Sequence, residues 1–580
     1  MFKRLTYLWP YLRPHRRKLF LGLASVLAAV LMGLASPLLV GHAIDAVRHR
    51  ASLLALLGFA GLIVGFSLVQ GVFSYLQRMI LVGMSRDVEF DLRNVYFRAL
   101  ESQPPGFFQE HPTGDLMARA TNDLQAVRML CGPAIMYMTN TVIMGAGALF
   151  FMTRINLLLM LIALAPMPFL VVSTTLFGRK IHGFFTSVQA KFSDITAKVQ
   201  ENLSGVRVVR AYSRESREEA EFRTVNLEYL KGNIQLAGWA SAFQPLLQGL
   251  VGVGFAAVLW YGGLLVIRGR ISIGEFVTFQ LFLGRLVWPM IAIGWVVNLT
   301  QRGLASLARM RQVIDTEPAI RDEEPLTDPG EILGDVRFRD LTFAYREGTP
   351  VLSRIDLDVP AGRTVAVVGR TGAGKSTLLA LLPRLIDPPQ GGLLVDGIDV
   401  RRLPLARLRG AIGMVPQETF LFSATIRENI ALGRPGASVE QVLEAARLAG
   451  LGTDLAAFPN GLDTMVGERG LTLSGGQKQR VTLARAILRE PRVLLLDDCL
   501  SAVDTQTEEE ILANLRLVFR GRTVFLVSHR VSTVKDADVI LVLEQGRIVE
   551  QGTHAQLIGH GGLYAELHQR QLLEEELAAV

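Results

Sequence analysis

Cysteine is almost missing from this chain. Cys131 and Cys499 are the two in 580 residues, too few and too far apart for a disulfide framework. One of them also falls in an apolar region, so neither a structural disulfide nor thiolate chemistry is expected. Charge is scarce too: Asp, Glu, Lys and Arg make up 19% of residues against 50% apolar, and mean hydropathy is +0.33. A net charge of +7 and an isoelectric point near 9.5 raise the question of nucleic acid. No Lys/Arg stripe joins an aromatic platform, which sets that partner aside. A secretory signal is lacking as well. MFKRLTYLWPYLRPHRRKLF carries too many charges before its apolar run, and no small-residue cleavage site follows. Its Phe, Leu, Trp and Tyr among Lys and Arg suit an interfacial elbow helix over residues 1–18, lying on the membrane before the chain turns inward.

At 580 residues the chain exceeds one core. Its apolar excess lies in the first half, in runs at about 19–44, 53–77, 132–153, 156–177, 236–267 and 275–300. Each is long enough to cross a bilayer. The short connections carry few positive charges: Arg48 and Arg50, then Arg154, then Arg268 and Arg270. Arg13, Arg16, Arg17 and Lys18, with the basic stretches 78–131 and 178–235, lie on the other side. That asymmetry places both termini and the second half in the cytoplasm.

The two basic stretches keep helical spacing of apolar residues among charges. As helices rising ~1.5 Å per residue they project ~40 Å beyond the bilayer. PPG at 104–106 breaks the first, and TGD at 113–115 begins a short helix with Thr113 or Asp115 as its cap. The second turns near 205–222. Arg285 is the one charge well inside a span. It either serves a substrate pathway or gate, or snorkels or is satisfied by a neighbouring helix, and the break implied by Pro289 fits both.

A charged, proline-bearing linker, 315–334, closes the membrane domain of 19–314. From 335 to 580, short β-rich segments alternate with helical ones, as in an α/β domain around a partly parallel sheet. Within it VAVVGRTGAGKST follows a strand and opens a helix. Gly369, Gly372 and Gly374 let the backbone turn its N–H groups toward phosphate, Lys375 reaches the outer phosphates, and Ser376 offers its hydroxyl to Mg²⁺. Asp497 ends the strand VLLLD and is the expected second Mg²⁺ contact. Asp498, next to it, is placed to orient water, and His529, past the strand VFLVSH, to bond the terminal phosphate or that water. Tyr345 lies upstream of the loop, ready to stack on adenine. Ser474, Gly475 and Gly476, before a second helix, form another anion grip. One ATP does not need two grips from one domain. If the second faces outward, two chains stacked head to tail complete each other's sites.

With these motifs the chain resembles the ABC exporters over essentially its full length, as a half-transporter of one six-span domain fused to one P-loop ATPase domain. The resemblance implies a multi-domain α plus α/β fold, an ABC-type translocase with ATP and Mg²⁺, and a multi-pass protein of the cell inner membrane. Tyr345 matches the A-loop aromatic. Gly369, Arg370, Thr371, Gly372, Ala373, Gly374, Lys375, Ser376 and Thr377 match the phosphate loop. Gln417 matches the Q-loop residue, grouped with Ser376 and Asp497 at the metal and with Asp498 and His529 at hydrolysis. VGERG at 466–470 matches the loop before the signature, Ser474, Gly475, Gly476 and Gln477 lie in an intact LSGGQ signature, and SAVD at 501–504 matches the D-loop. Turns near 107–118 and 210–220 would be the coupling helices, resting on this and a second nucleotide domain.

The departure is Asp498, where the family has glutamate. One methylene less leaves the carboxylate ~1 Å short, and misplacement on that scale costs ~100-fold. This resembles the subunit with the weak carboxylate in asymmetric heterodimers, such as bacterial multidrug pumps and the antigen-peptide transporter. The expected partner is a different half-transporter with an intact glutamate. The expected cargo is amphipathic: drugs, peptides or lipids, taken from the cytoplasm or inner leaflet outward by alternating access. Alternatives are a homodimer working slowly at two Asp498 sites, or an ATP-gated channel or regulatory membrane protein.

Overall fold

The computed structural model describes residues 6–345, 348–467, 470, 472–503 and 505–579. It divides into two units, Met1–Leu100 with Gly114–Thr316, and Glu101–Thr113 with Glu317–Val580.

Six long helices build the first unit: α1 (Trp9–Arg48), α2 (Leu53–Glu101), α3 (Thr113–Ile155), α4 (Leu157–Ser204), α5 (Glu215–Ile267) and α6 (Ile273–Ile314). Each apolar run lies within one helix, and the basic stretches are the same helices carried onward. The chain breaks between α2 and α3 where Pro104 precedes a six-residue helix, Pro105–Glu110, with Pro105 in its first turn. TGD at 113–115 does open a short helix, Thr113–Ala118, which runs on through a π-helical turn, Arg119–Asp123, into the rest of α3, and Asp115 pairs with Arg119 one turn on. Between α4 and α5 the break spans Gly205 to Arg214 around a short helix, Val206–Ala211.

α6 packs against α1 and α3, whereas α4 and α5 pair chiefly with each other. No residue in the most apolar window of α2 is buried inside the chain, leaving that stretch for lipid or another chain. Below the spans, Asp123 of α3 is 8% exposed and accepts from Ser306 Oγ at 2.9 Å and Arg309 Nε at 2.8 Å. Burial alone would raise its carboxyl, but those hydrogen bonds hold it below the ordinary carboxylate value.

In the second unit a six-stranded sheet runs β10-β9-β3-β8-β7-β6. Its strands are β3 (Thr364–Gly369), β6 (Ile412–Val415), β7 (Val493–Asp497), β8 (Thr523–Val527), β9 (Val539–Glu544) and β10 (Arg547–Gly552). All neighbours pair in parallel except β9 with β10. A second, antiparallel sheet, β2-β1-β4-β5, holds β1 (Val336–Phe343), β2 (Leu352–Val359), β4 (Leu393–Val395) and β5 (Ile398–Asp399).

The parallel strands are buried on both faces, which is why they read as unbroken apolar runs. Ala366, Val368, Leu494, Leu496, Val524 and Leu526 feed one core, and Val365, Val367, Val493, Leu495, Phe525 and Val527 the other. Each such Val, Leu or Phe side chain contributes about 2 kcal/mol. A charge is tolerated only where the row ends, and β3, β7 and β8 end side by side, with Asp497 in register with Val527. A ligand crevice forms outside such carboxyl ends.

Candidate nucleotide site

The loop after β3 is shaped by glycine. Gly369 has φ 151° and a Cβ there would stand 2.2 Å from Leu543 O. Gly374 has φ 99° and a Cβ there would meet Val351 O at 3.0 Å. Neither position accepts a side chain. From Gly374 the chain enters α7 (Lys375–Leu381). Lys375 is 7% exposed, and its Nζ donates to Gly369 O at 2.7 Å and Arg370 O at 3.0 Å. Burial lowers its ammonium from the usual value, and the charges of Asp497 and Asp498 oppose that. A buried cation hydrogen-bonded to loop carbonyls is fitted to a polyanion.

Asp497 is 4% exposed at the tip of β7. Burial raises its carboxyl, while a hydrogen bond from Ser376 pulls it down. Among the described residues no group of three or more His, Cys, Asp or Glu converges on a metal site. Two neighbouring oxygens, Ser376 and Asp497, suit Mg²⁺, which takes its other ligands from phosphate and water.

Asp498 follows in the left-handed region, φ 50°, where Asp is better tolerated than longer residues. Its N–H donates to Val527 O at 3.0 Å and its carbonyl accepts from Ser501 Oγ at 3.0 Å. A cleft of about 230 Å³ joins these groups: Thr371 to Thr377, Gln417, Asp497, Asp498 and His529, with Val351 and Val527 as apolar walls. Tyr345 is tied to its rim by a 3.0 Å bond between its hydroxyl and Thr377 Oγ1, and its ring is half exposed. The arrangement can cradle a polyphosphate, hold a hard cation and bring a carboxylate and an imidazole to its far end.

The signature residues lie elsewhere. Ser474 caps α8 (Gly475–Leu488): its Oγ accepts from Gln477 N at 3.3 Å, and its N–H donates to Gln477 Oε1 at 2.9 Å. Ser474 and Gly475 are exposed, Gly476 is packed against the Ala502 carbonyl, and none lines the cleft. Glu468 and Arg469 of VGERG and Asp504 of SAVD lie outside the described residues.

Two supporting residues escape a motif search. Gln479 bridges α8 to the turn after Asp498, donating to Ser501 Oγ and accepting from Ala502 N, both at 3.0 Å. Glu508, 2% exposed on α9 (Thr505–Phe519), accepts from Thr533 Oγ1 at 2.6 Å and pairs with Arg530. It thereby fixes the loop that follows His529. A signal for it exists: Glu508 lies on the buried stripe of Ile511, Leu515 and Val518, where a carboxylate needs partners.

Comparison with known proteins agrees along the whole chain. The family description "ABC transporter transmembrane region" matches residues 19–290, and "ABC transporter" matches 352–501. The probable multidrug resistance ABC transporter ATP-binding/permease protein YheI of Bacillus subtilis is 38% identical, over 99% of this chain and 98% of that one. The ATP-dependent lipid A-core flippase of Syntrophus aciditrophicus is 34% identical, over 100% and 95% respectively. The solved structure of a bacterial Atm1-family ABC exporter with ATP bound superposes with a TM-score of 0.79 at 30% identity, covering 96% of this chain and 98% of that one. Matched in order and over nearly its full length, the chain belongs to the ABC transporters: it is an exporter with membrane domain and ATPase domain in one polypeptide, binding ATP with Mg²⁺ and coupling ATP hydrolysis to transport.

Proposed function

We propose that this chain is the weakly hydrolysing half of an unequal pair, exporting amphipathic compounds from the cytoplasm or inner leaflet. Asp498 carries the reading: it lines the cleft beside Asp497, and an aspartate there is one methylene shorter than the glutamate of the exporters that the chain resembles. Lys375 and the loop N–H groups hold the phosphates, Ser376, Asp497 and Gln417 serve Mg²⁺, Tyr345 stacks on adenine, and His529 steadies the terminal phosphate. LSGGQ, turned away from its own cleft, serves ATP held by a second half-transporter, whose glutamate does most of the hydrolysis. Closure reaches the spans through the helix extensions. Residues 101–113, which group with the ATPase unit, support that role for the first coupling helix. Relatives named for multidrug resistance and for lipid flipping support an amphipathic cargo. Both termini lie in the cytoplasm, with the chain in the inner membrane.

The intact signature and phosphate loop favour one other reading, a homodimer turning over slowly at two Asp498 sites. Purifying the chain from its native membrane decides between them. A second, different half-transporter at equal stoichiometry is expected, with ATP turnover far above that of this chain alone. Recovery of the chain only with itself, at the same turnover, overturns the unequal pair.

A further inference from the structure

Proline inside a membrane helix removes an N–H, and the carbonyl four residues earlier must find another donor. Pro37 lies within α1, so the bereft carbonyl is that of Gly33. Nη1 of Arg285, on α6, donates to it. Gly33 itself leaves the room: a Cβ there would stand 3.3 Å from Arg285 Nη1 and 3.1 Å from Gln70 Nε2.

The contact is the innermost of a row. Thr278 Oγ1 shares its one hydrogen between Gly274 O at 2.8 Å on its own helix and Pro37 O at 3.1 Å across the contact. One turn further, a Cβ on Gly41 would lie 2.0 Å from Thr278 Oγ1, and one on Gly274 would lie 2.1 Å from Gly41 O, so the two backbones touch. At the end of the row Asp45 accepts from Ser272 Oγ at 2.5 Å and from Gly274 N at 2.9 Å. Positions 33, 37, 41 and 45 recur every four residues and share one face of α1. Lipid tails are as apolar as leucine, so close backbone approach and hydrogen bonds of this kind are what hold two spans together.

We propose that Arg285 is the substitute donor for the carbonyl that Pro37 frees, and that it positions α1 against α6 for the transport cycle without touching cargo. The charge inside the span and the proline inside the span are one device, separated by most of the membrane domain in sequence. This goes beyond the unequal-pair reading and does not depend on it.

The test is a suppressor experiment on the purified transporter in lipid nanodiscs, read as ATP turnover and as thermal unfolding midpoint. Arg285→Met should lower turnover about tenfold, the order expected when a buried carbonyl loses its donor, and should lower the midpoint. Pro37→Ala returns an N–H to α1, so the Pro37→Ala/Arg285→Met double variant should recover to within about twofold of the native protein. Arg285→Lys, which keeps a donor, should retain most of the activity and gives an independent reading if an alanine variant does not fold. A double variant as impaired as Arg285→Met, a lysine variant as impaired as methionine, or an Arg285→Met protein equal to the native one each overturns the proposal. So does loss of ethidium or anionic-dye efflux that follows the dye's charge and is not repaired by Pro37→Ala, since that marks a cargo contact.

Discussion

Asp498→Glu adds one methylene to the acid at the tip of β7, extending its reach by about 1 Å. If reach limits hydrolysis in this chain, the missing ~100-fold is restored, equivalent to about 2.7 kcal/mol of activation free energy. The backbone opposes the change. At φ 50° a glutamate is less at ease than an aspartate, with a cost of about 1 kcal/mol. That cost falls on folding stability rather than on the barrier, because the 498 N–H stays on Val527 O at 3.0 Å and its carbonyl on Ser501 Oγ at 3.0 Å. Lys375, Ser376 and Tyr345 are untouched, so ATP binding should hardly move. The expected outcome is kcat raised ~100-fold, KM for ATP within about twofold of native, and a melting midpoint lower by a few degrees at most. Phosphate release at saturating Mg·ATP by the full chain in nanodiscs measures it, with Asp498→Asn as the baseline. If the glutamate variant turns over no faster than native while the asparagine variant is ~100-fold slower, aspartate already reaches the water and the reasoning fails.

Three further outcomes bear on the surroundings of the site and on the helix extensions. Glu508→Ala strands Arg530 and Thr533, which at about 2 kcal/mol should lower kcat of the Asp498→Glu chain up to ~30-fold with KM unchanged; a pure KM effect in the same assay would deny Glu508 its hold on the His529 loop. Asp123→Asn should lower the melting midpoint at neutral pH, an effect of about 2 kcal/mol given that the Arg309 side chain is half exposed. Since the folded pKa of Asp123 lies below its unfolded value, its contribution is whole above about pH 4 and is lost as pH falls through the folded value. Melting curves of native and variant should therefore converge in acid. The thiol of Cys499, 2% exposed and pushed up to about 12 by burial and by the neighbouring Asp498, should resist iodoacetamide at pH 7.5 in the folded chain and react after denaturation, as read by mass spectrometry.

Spans and phosphate loop are legible in the sequence because each depends on local composition. A bilayer demands an apolar run wherever the chain crosses it, and Gly369, Gly372 and Gly374 are dictated by their own backbone angles. Less is readable where the cause lies elsewhere in the chain. TGD at 113–115 reads as the start of a short helix and is one, Thr113–Ala118, but its continuation through a π-helical turn into the rest of α3 is not legible locally. Arg285 stays ambiguous in sequence because its acceptor is a carbonyl on α1, freed by a proline on that helix. Glu508 is visible only as a charge on an apolar stripe, with no hint that its partners flank His529. The left-handed turn at Asp498 is likewise a property of the fold, set by where β7 and β8 end.

The central claim is that this chain holds the idle site of an unequal pair. The most direct measurement changes the glutamate of the proposed second half-transporter, at the position matching Asp498, to glutamine and leaves this chain native. Phosphate release by the purified complex should then fall to about 1% of the unmodified rate, the residue left by Asp498. Near-normal turnover would contradict the account, since Asp498 would then be doing the hydrolysis itself.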